Sequence, residues 1–461
     1  MVVTYQDFVK HEQDRAKWIG TQIATYKRSD EYKVALDADQ YERQQNVTIM
    51  NFVKMVYDIT GVGVPDFTST NNKLARNFFH RFNVQRNSYL LGNGVSFSKQ
   101  QKQTKKDGTT IVVDTTKQEL GKEFDSIVYR AGYKALLHGV SYTYYNDGDF
   151  YIFPMTEFLP IVDEETGKLR AGLRFWSLDW NRMPITVDLY EEEGYSRYRT
   201  KAKKFGLGAL ELVQERKPYK ENIQHSDADG DEVIGGENYN GLLPIIPCYG
   251  NSNHQSTLLG MRPKIDAYDM IASGYANDEQ DVAQIYWLIN NASGMQEDDV
   301  RRFRDRLLLQ HVAVVDQQNS EISAHAQDVP FNSREACLNR IENDLYRDFG
   351  ALDVNTISAT QKTATEIIAA YQPMDEEADD YETQITLYIK QILKLKGIED
   401  EPIYKRNRIV NEKEETEKVL LAADYLNRET VLKKLPFISP DEVDTILMDS
   451  DIEDQDFVTE E

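Results

Sequence analysis

The sequence is poor in cysteine and in long apolar runs. Two cysteines in 461 residues, Cys248 and Cys337, are too few for a disulfide framework or a four-cysteine zinc site. No apolar run approaches the roughly 20 residues needed to cross a bilayer, and no segment resembles a signal peptide. We therefore expect a soluble protein that is made in a reducing cytoplasm and has no membrane partner.

Motifs of common catalytic sites are also missing. The chain contains no GxxxxGK[ST] phosphate-binding loop, no GxGxxG, no HExxH and no GxSxG. Its seven histidines are scattered, and none is spaced from another like a helical metal-ligand pair. The sequence therefore predicts a protein that is not an enzyme, with no catalytic residue, no metal ligand and no cofactor.

Basic residues are outnumbered by acidic ones. The 77 Asp and Glu against 53 Lys and Arg give a formal charge of −24. Proteins that grip nucleic acid normally neutralise phosphates with Lys and Arg, and on bulk charge this chain would repel them. The hydrophobic content of 40% is high enough for folded cores.

Helical and strand patterns both occur, which indicates the α+β class. Residues 1–60 read as polar helices, followed by helices at about 71–91 and 117–138. Alternating segments between 95 and 250, separated by Gly-containing turns, read as strands. After a small unit at about 290–330, a helix opens near Asn332, and further helices follow in the tail from 398 onwards.

A long amphipathic helix is predicted from about 257 to 289. Apolar residues recur at three- and four-residue steps from Leu258 to Ile289, and the helix would be about 40–45 Å long. Its opposite face carries acidic residues, which suits a stave in the wall of a channel. The candidate residues of this face are Asp266, Asp269, Asp278, Glu279 and Asp281.

A second long helix follows a short polar segment. Apolar residues keep a 4-3-4-3 spacing from Ile367 to Leu395, and Pro373 should kink the helix. Acidic runs at 278–281 and 375–380 could hold magnesium in a nuclease, although such runs more often form hydrated helix faces. Both interpretations remain open at this point.

The order of several segments resembles the portal proteins (head-to-tail connectors) of tailed bacteriophages. The first segments are NNKLARNFFHRFNVQRNSYLLGNGVSF, YRAGYKALLHGVSYTYYNDGD and FPMTEFLPIVDEETGKLRAGLRFW. They are followed by GLLPIIPCYGNSN, KIDAYDMIASGYANDEQDVAQ, KTATEIIAAY and NEKEETEKVLLAADYLNRETVLKKLPFISPDEVDTIL. The resemblance extends over about residues 40–450.

The resemblance implies a portal-type ring subunit with a defined order of parts. These parts would be an α/β wing, a two-helix stem, a small α/β clip, a long kinked wing helix and a helical crown. By position the wing is 1–256, stem helix 1 is 257–289, the clip is 290–330, stem helix 2 is 331–350, the tunnel loop is 351–362, the long wing helix is 363–396 and the crown is 397–461.

The resemblance also implies a function. The family forms a ring, usually a dodecamer, at one capsid vertex, and double-stranded DNA is packaged and ejected through it without sequence specificity. The ring nucleates head assembly with the major capsid and scaffolding proteins, docks terminase, and later binds head-completion and tail connector proteins. The chain would thus be assembled in the bacterial host cytoplasm and reside in the virion.

Two further groups of residues are candidates for this function. A polar segment could reach toward DNA with hydroxyls, amides and one positive charge: Asn355, Thr356, Ser358, Thr360, Gln361, Lys362 and Thr363. Mixed charges in the clip could bind a neighbouring subunit, terminase or an adaptor: Gln296, Asp298, Asp299, Arg301 and Arg302.

Two alternatives compete with a DNA-conducting ring. One is a metal-dependent phage DNA-processing nuclease that uses the acidic runs. The other is a capsid- or scaffold-binding protein that never touches DNA. Solution mass and a magnesium-dependent nuclease assay would separate the three.

Overall fold

The structure is a computed structural model, and its described part excludes several segments. The described residues are 3–57, 61–67, 69–104, 110–146, 148–177, 184–200, 210–224, 232–282, 286–290, 296, 298, 301–302, 321–325, 331–354, 364–408, 412–435, 438, 443 and 446. In these ranges helices and strands are mixed, as the sequence predicted. No helix in the described ranges is long and apolar enough to span a bilayer.

The helices of the described residues vary widely in length. They are α1 (Tyr5–Lys10), α2 (Arg15–Tyr26), α3 (Asp30–Glu42), α4 (Val47–Met50), α5 (Phe78–Leu91), α6 (Thr115–Leu120), α7 (Phe124–His138), α8 (Leu258–Val282), α9 (Phe331–Phe349), α10 (Ala364–Lys396), α11 (Glu412–Leu421) and α12 (Arg428–Lys434). Short 3₁₀ helices occur at Met155–Glu157 and Ala423–Tyr425.

The strands lie mainly between 95 and 250. They are β1 (Val3–Thr4), β2 (Met55–Tyr57), β3 (Gly63–Pro65), β4 (Val95–Phe97), β5 (Gln100–Thr104), β6 (Thr110–Asp114), β7 (Val140–Asn146), β8 (Asp149–Pro154), β9 (Phe158–Val162), β10 (Leu169–Trp176), β11 (Thr186–Glu191), β12 (Gly194–Thr200), β13 (Leu210–Lys217), β14 (Lys220–Gln224), β15 (Glu232–Glu237), β16 (Ile245–Tyr249), β17 (Tyr286–Asn290), β18 (Glu321–His325) and β19 (Pro402–Tyr404).

The chain divides into two compact units. Unit 1 comprises Met1–Gln44, Asn77–Arg262 and Tyr346–Glu461, and unit 2 comprises Gln45–Arg76 and Pro263–Leu345. Helices α8 and α9 each run from one unit into the other.

Unit 1 contains a six-stranded sheet of order β1-β9-β10-β11-β12-β13. Only the β1–β9 pairing in this sheet is parallel; the others are antiparallel. Side chains alternate along a strand, so Leu173 and Phe175 of β10 share a face and pack with Ile19 and Ile23 of α2. Burial of this apolar face fixes α1 and α2 on the sheet.

A second core of unit 1 surrounds α10. The smaller sheet has the order β16-β7-β8, and Cys248 of β16 is buried in the same cluster as Tyr381, Ile385 and Tyr388 of α10. The Tyr381 hydroxyl donates to Asn87 Oδ1 at 2.6 Å, and Tyr388 and Thr143 share a hydrogen bond of 2.8 Å. The 4-3-4-3 spacing thus predicted the buried face of α10 correctly, and Pro373 lies within the helix.

Unit 2 contains the greater part of α8 and of α9, together with α4 and two small two-stranded sheets. One sheet is the hairpin of β2 with β3, and the other pairs β17 with β18. On α8 the predicted apolar residues Ile265, Tyr268 and Ala272 are buried.

Three helix boundaries differ from prediction. Helix α8 ends at Val282 rather than Ile289, because Tyr286–Asn290 forms a strand with Glu321–His325. The helix expected at about 117–138 is broken into α6 and α7 at Gly121, whose φ of 93° is unfavourable for other residues. Helix α5 begins at Phe78 rather than near 71.

Other predictions fall outside the described residues. These are the turn at 105–109, most of the proposed clip between 303 and 320, and the helix start at 439–442.

Candidate functional site

The polar segment 355–363 lies outside the described residues, but both of its borders are firmly held within unit 1. On the N-terminal side, Gln85 of α5 donates through Nε2 to the carbonyl of Leu352 at 2.9 Å. The same amide accepts from the Leu352 N–H at 3.1 Å. A glutamine that satisfies both backbone groups of one residue fixes that residue in position and orientation. The Leu352 side chain is also buried.

Helix α9 ends just before this border in a Schellman motif. Gly350 has a φ of 65°, its N–H donates to Arg347 O at 3.2 Å, and Ala351 N–H donates to Tyr346 O at 2.9 Å. The carbonyl of Phe349 accepts from the buried Arg86 guanidinium at 2.6 Å. The carbonyls of Tyr346, Arg347 and Phe349 in the last turn therefore have partners, and these bonds fix the chain direction after Gly350.

The C-terminal border rests on the same helix α5. Tyr89 stacks on Tyr371 of α10 with ring centroids 5.8 Å apart. Both rings are buried in a small cluster with Leu352 and Met374. Two residues of α5 that are four positions apart, Gln85 and Tyr89, thus hold the two sides of the segment.

The acidic face of α8 is not uniformly exposed. Asp269 is 0% exposed, and its carboxylate accepts from Asn46 Nδ2 at 2.8 Å and from the Arg76 N–H at 3.0 Å. Asp269 is therefore not part of an exposed acidic stripe, contrary to prediction, because the 45–76 segment packs over it within unit 2. Burial raises the pKa of Asp269 to about 6, helped by the neighbouring Asp266 and opposed by the two hydrogen bonds.

The remaining residues of this face differ among themselves. Asp266 is half-buried and accepts from the Thr48 hydroxyl at 2.7 Å. Asp278 forms an ion pair with Arg334 of α9. Glu279 is exposed, whereas the side chain of Asp281 lies outside the described residues. In the first half of α8, Asp266 and Asp269 thus bind the 45–76 segment within unit 2. The exposed carboxylate, that of Glu279, lies near the end of the helix.

The clip candidates are only partly described. Gln296, Asp298, Arg301 and Arg302 are exposed, and Asp299 lies outside the described residues. Their role at an interface stays a prediction.

The acidic run of α10 is engaged by arginines that the sequence reading did not single out. Arg406 reaches Asp375 at 2.9 Å, Glu382 at 2.9 Å, and Asp379. Arg408 donates to both oxygens of Asp375 at 2.6 and 2.7 Å. The three carboxylates lie on one face of α10, at i, i+4 and i+7, and this spacing was the signal in the sequence that they act together. No local pattern indicated that their partners are the arginines at 406 and 408.

Tyr89 completes this arginine network. Its hydroxyl donates to Asp375 at 2.6 Å and accepts from Arg408 Nε at 2.9 Å. Burial alone would raise the pKa of Asp375, but the bonds from Tyr89, Arg406 and Arg408 outweigh it and lower the pKa. For Tyr89 burial prevails, and it raises the pKa of the hydroxyl to about 12. The network thus pairs the carboxylates of α10 with arginines of the same chain, and these contacts hold residues 406–408 against the helix.

No group of His, Cys, Asp or Glu side chains in the described ranges is arranged to hold a metal ion. Asp278 and Asp375 instead direct their carboxylates to arginine. This geometry gives no support to the magnesium interpretation of the acidic runs.

Comparison with known proteins identifies the family. Residues 32–456 match the family described as phage portal protein, SPP1 Gp6-like. Because the match extends over most of the chain, the chain belongs to this portal protein family, as the sequence predicted.

Two curated relatives are similar in sequence. The portal protein of Bacillus phage SPP1 is 24% identical over 306 residues, which are 64% of this chain and 56% of that protein. The portal protein of Clostridium phage phiCD119 is 21% identical over 209 residues, which are 42% of this chain and 46% of that protein. The chain thus spans about half the length of these relatives.

Among solved structures, a chain in the neck of an empty GTA particle computed with C6 symmetry aligns with a TM-score of 0.40 and 9% identity. That alignment covers 79% of this chain and 91% of the neck chain. A chain in the neck of the native GTA particle, computed with C12 symmetry, gives a TM-score of 0.34 at 10% identity, with 69% and 81% coverage.

Proposed function

We propose that this chain assembles with copies of itself into a ring that forms a channel at one vertex of a phage capsid. Double-stranded DNA passes through the channel during packaging and ejection, and the ring becomes part of the virion. The observation that carries the proposal is the family match over residues 32–456. The two curated relatives are both named portal protein.

We propose that the parts of the subunit follow the order expected for the family. In this proposal 1–256 and 363–396 form the wing, 257–282 and 331–350 the stem, 286–330 the clip and 397–461 the crown. The ring nucleates head assembly, docks terminase through the clip during packaging, and later binds connector and tail proteins. The strand at Tyr286–Asn290 would then begin the clip rather than continue the stem helix.

Electrostatics supports a conduit rather than a DNA-gripping surface. Each subunit carries a formal charge of −24, and this charge is repeated in every copy of a ring. Like charge repels the phosphate backbone, so DNA of any sequence is held off the wall and slides with little binding cost.

The segment 355–363 is proposed to contact DNA in the channel. The support is the rigid attachment of its borders through Gln85 and Tyr89, which would hold a polar loop at a constant position. Its hydroxyls, amides and Lys362 can contact phosphate weakly without reading sequence.

Two experiments test the proposal. Negative-stain microscopy and solution mass of the purified chain should reveal closed rings with a central opening; a protein that stays monomeric at every concentration and salt would contradict it. Deletion of 356–360 should leave rings intact while lowering the yield of DNA-filled heads. A normal yield of filled heads would remove the loop from the DNA path.

A further inference from the structure

Exposed apolar side chains concentrate in one short segment of unit 2. Of the 24 large apolar residues exposed in the described ranges, nine lie in residues 50–57 and 61–67. Of these nine residues the most exposed are Phe67 at 89%, Tyr57 at 69% and Val62 at 58%. We call these two ranges the hairpin patch, because they contain β2 and β3. Contiguous apolar exposure of this kind marks an interaction surface.

Both faces of the hairpin are apolar. The register pairs Met55 with Pro65, Val56 with Val64 and Tyr57 with Gly63. Alternation along a strand therefore places Val56 and Val64 on one face. Met55 and Tyr57 lie on the other face. The Tyr57 ring packs over Gly63, with its Cε1 atom 3.1 Å from the position that a Cβ on Gly63 would occupy. Neither face is covered by the described part of the chain.

A hairpin of this size is not self-sufficient. β2 and β3 form a two-stranded sheet with three residue pairs. Isolated two-stranded hairpins are marginal in water, and apolar side chains on both faces add to the cost of leaving them exposed. The hairpin patch thus has the features of an element that is completed by another molecule.

The charge of the hairpin patch indicates which kind of molecule covers it. Residues 50–67 contain one lysine and two aspartates, in a chain whose formal charge is −24. Copies of such an acidic chain repel one another over most of their surfaces. A nearly neutral, apolar segment is where two copies can approach with little electrostatic cost and gain burial. A DNA partner does not fit, because the patch offers it almost no positive charge.

We propose that the hairpin patch docks against a neighbouring copy of this chain and forms part of the contact that closes the ring. This inference rests on the proposed function. Ring closure requires a heterologous contact, in which each subunit presents one surface and receives a different one. The exposed hairpin, apolar on both faces, serves as the presented surface, and the neighbour covers it.

The first test places a charge on one face of the hairpin, from each of its two strands in turn. Val56→Asp and Val64→Asp alter side chains that are about half exposed, so the isolated subunit should fold normally, as checked by circular dichroism and thermal unfolding. Val213→Asp, at a valine of β13 with a similar exposure of 61%, is the matched control. Each hairpin variant should raise the concentration at which half of the chain is assembled by about tenfold or more, as burial of a charge at an apolar contact predicts. The control should not.

The second test leaves the hairpin intact. A photo-crosslinking benzoylphenylalanine in place of Tyr57 should yield covalent dimers of the chain, with the attachment mapped by mass spectrometry. Crosslinks found only to capsid or scaffolding protein would overturn the inference, as would hairpin variants that assemble like wild type. In both cases wild-type rings would still form, and the proposed function would stand. A wild-type chain that never assembles overturns the function itself.

Discussion

The arginine network gives the sharpest quantitative prediction about unit 1. In Arg406→Met the side chain keeps most of its apolar stem but loses its bonds to Asp375, Asp379 and Glu382. Hydrogen bonds to charged groups contribute about 1.5–3 kcal/mol each when shielded from water. Asp379 is 67% exposed, so its pairing counts for well under 1 kcal/mol.

Asp375 is not orphaned by this substitution. It retains donors from Tyr89 and Arg408 at 2.6 Å, which removes the largest possible penalty, that of a buried unpaired carboxylate. The remaining losses are one bond to Asp375 and one to Glu382. We therefore expect the free energy of unfolding to fall by about 2–4 kcal/mol.

The measurement is urea unfolding at fixed protein concentration, under conditions in which the chain does not assemble. Lys390→Met is the control, because the Lys390–Glu401 pair of 2.7 Å is largely exposed and should contribute less than about 1 kcal/mol. If Arg406→Met lowered the free energy of unfolding no more than this control does, the network would contribute nothing beyond an exposed ion pair, and the reasoning about it would be wrong.

Three further predictions concern other parts of the molecule. Because the pKa of Asp269 is raised to about 6, the folded state binds a proton that the unfolded chain releases. The free energy of unfolding should therefore fall by about 2 kcal/mol from pH 4 to pH 6, and Asp269→Asn should flatten that slope in urea titrations. Gln85→Ala should speed amide exchange at Leu352 about tenfold or more, with the exposed Gln372→Ala as the silent control. With magnesium and duplex DNA the wild type should show no cleavage; activity that both Asp278→Ala and Asp379→Ala abolish would restore the nuclease alternative.

Local periodicity was sufficient to predict the long helix α10 and its buried face. Its apolar residues recur at helical spacing, and Tyr371, Ile385 and Tyr388 are buried as that spacing requires. The same reasoning failed at Tyr286–Asn290, because four apolar residues continue a helical period as readily as they form a strand. The pairing with Glu321–His325 decides the matter, and such distant pairing is invisible to a local pattern.

Acidic residues were misjudged for a related reason. Asp269 lies four residues after Ile265, at the border of the apolar face on a helical wheel, but its charge alone led us to assign it to the exposed face. Its partner Asn46 is 223 residues away, and Asn46 also caps α4 by accepting from Thr48 and Ile49. The arginines at 406 and 408 were overlooked likewise, since they follow β19 in irregular chain while their carboxylate partners lie on helix α10. Composition predicts how much charge a chain carries, but only tertiary contacts decide which charges meet water.

The attachment of both sides of 355–363 to one helix has a mechanical consequence. Gln85 and Tyr89 are one turn apart, so a roll of α5 about its own axis swings both attachment points in the same sense. Arg86, between them, grips the end of α9 at Phe349 and pairs with Glu377 of α10. Residues within about one turn of α5 therefore contact the end of α9, the N-terminal border of 355–363 and helix α10, so a displacement of α5 would disturb all three contacts together.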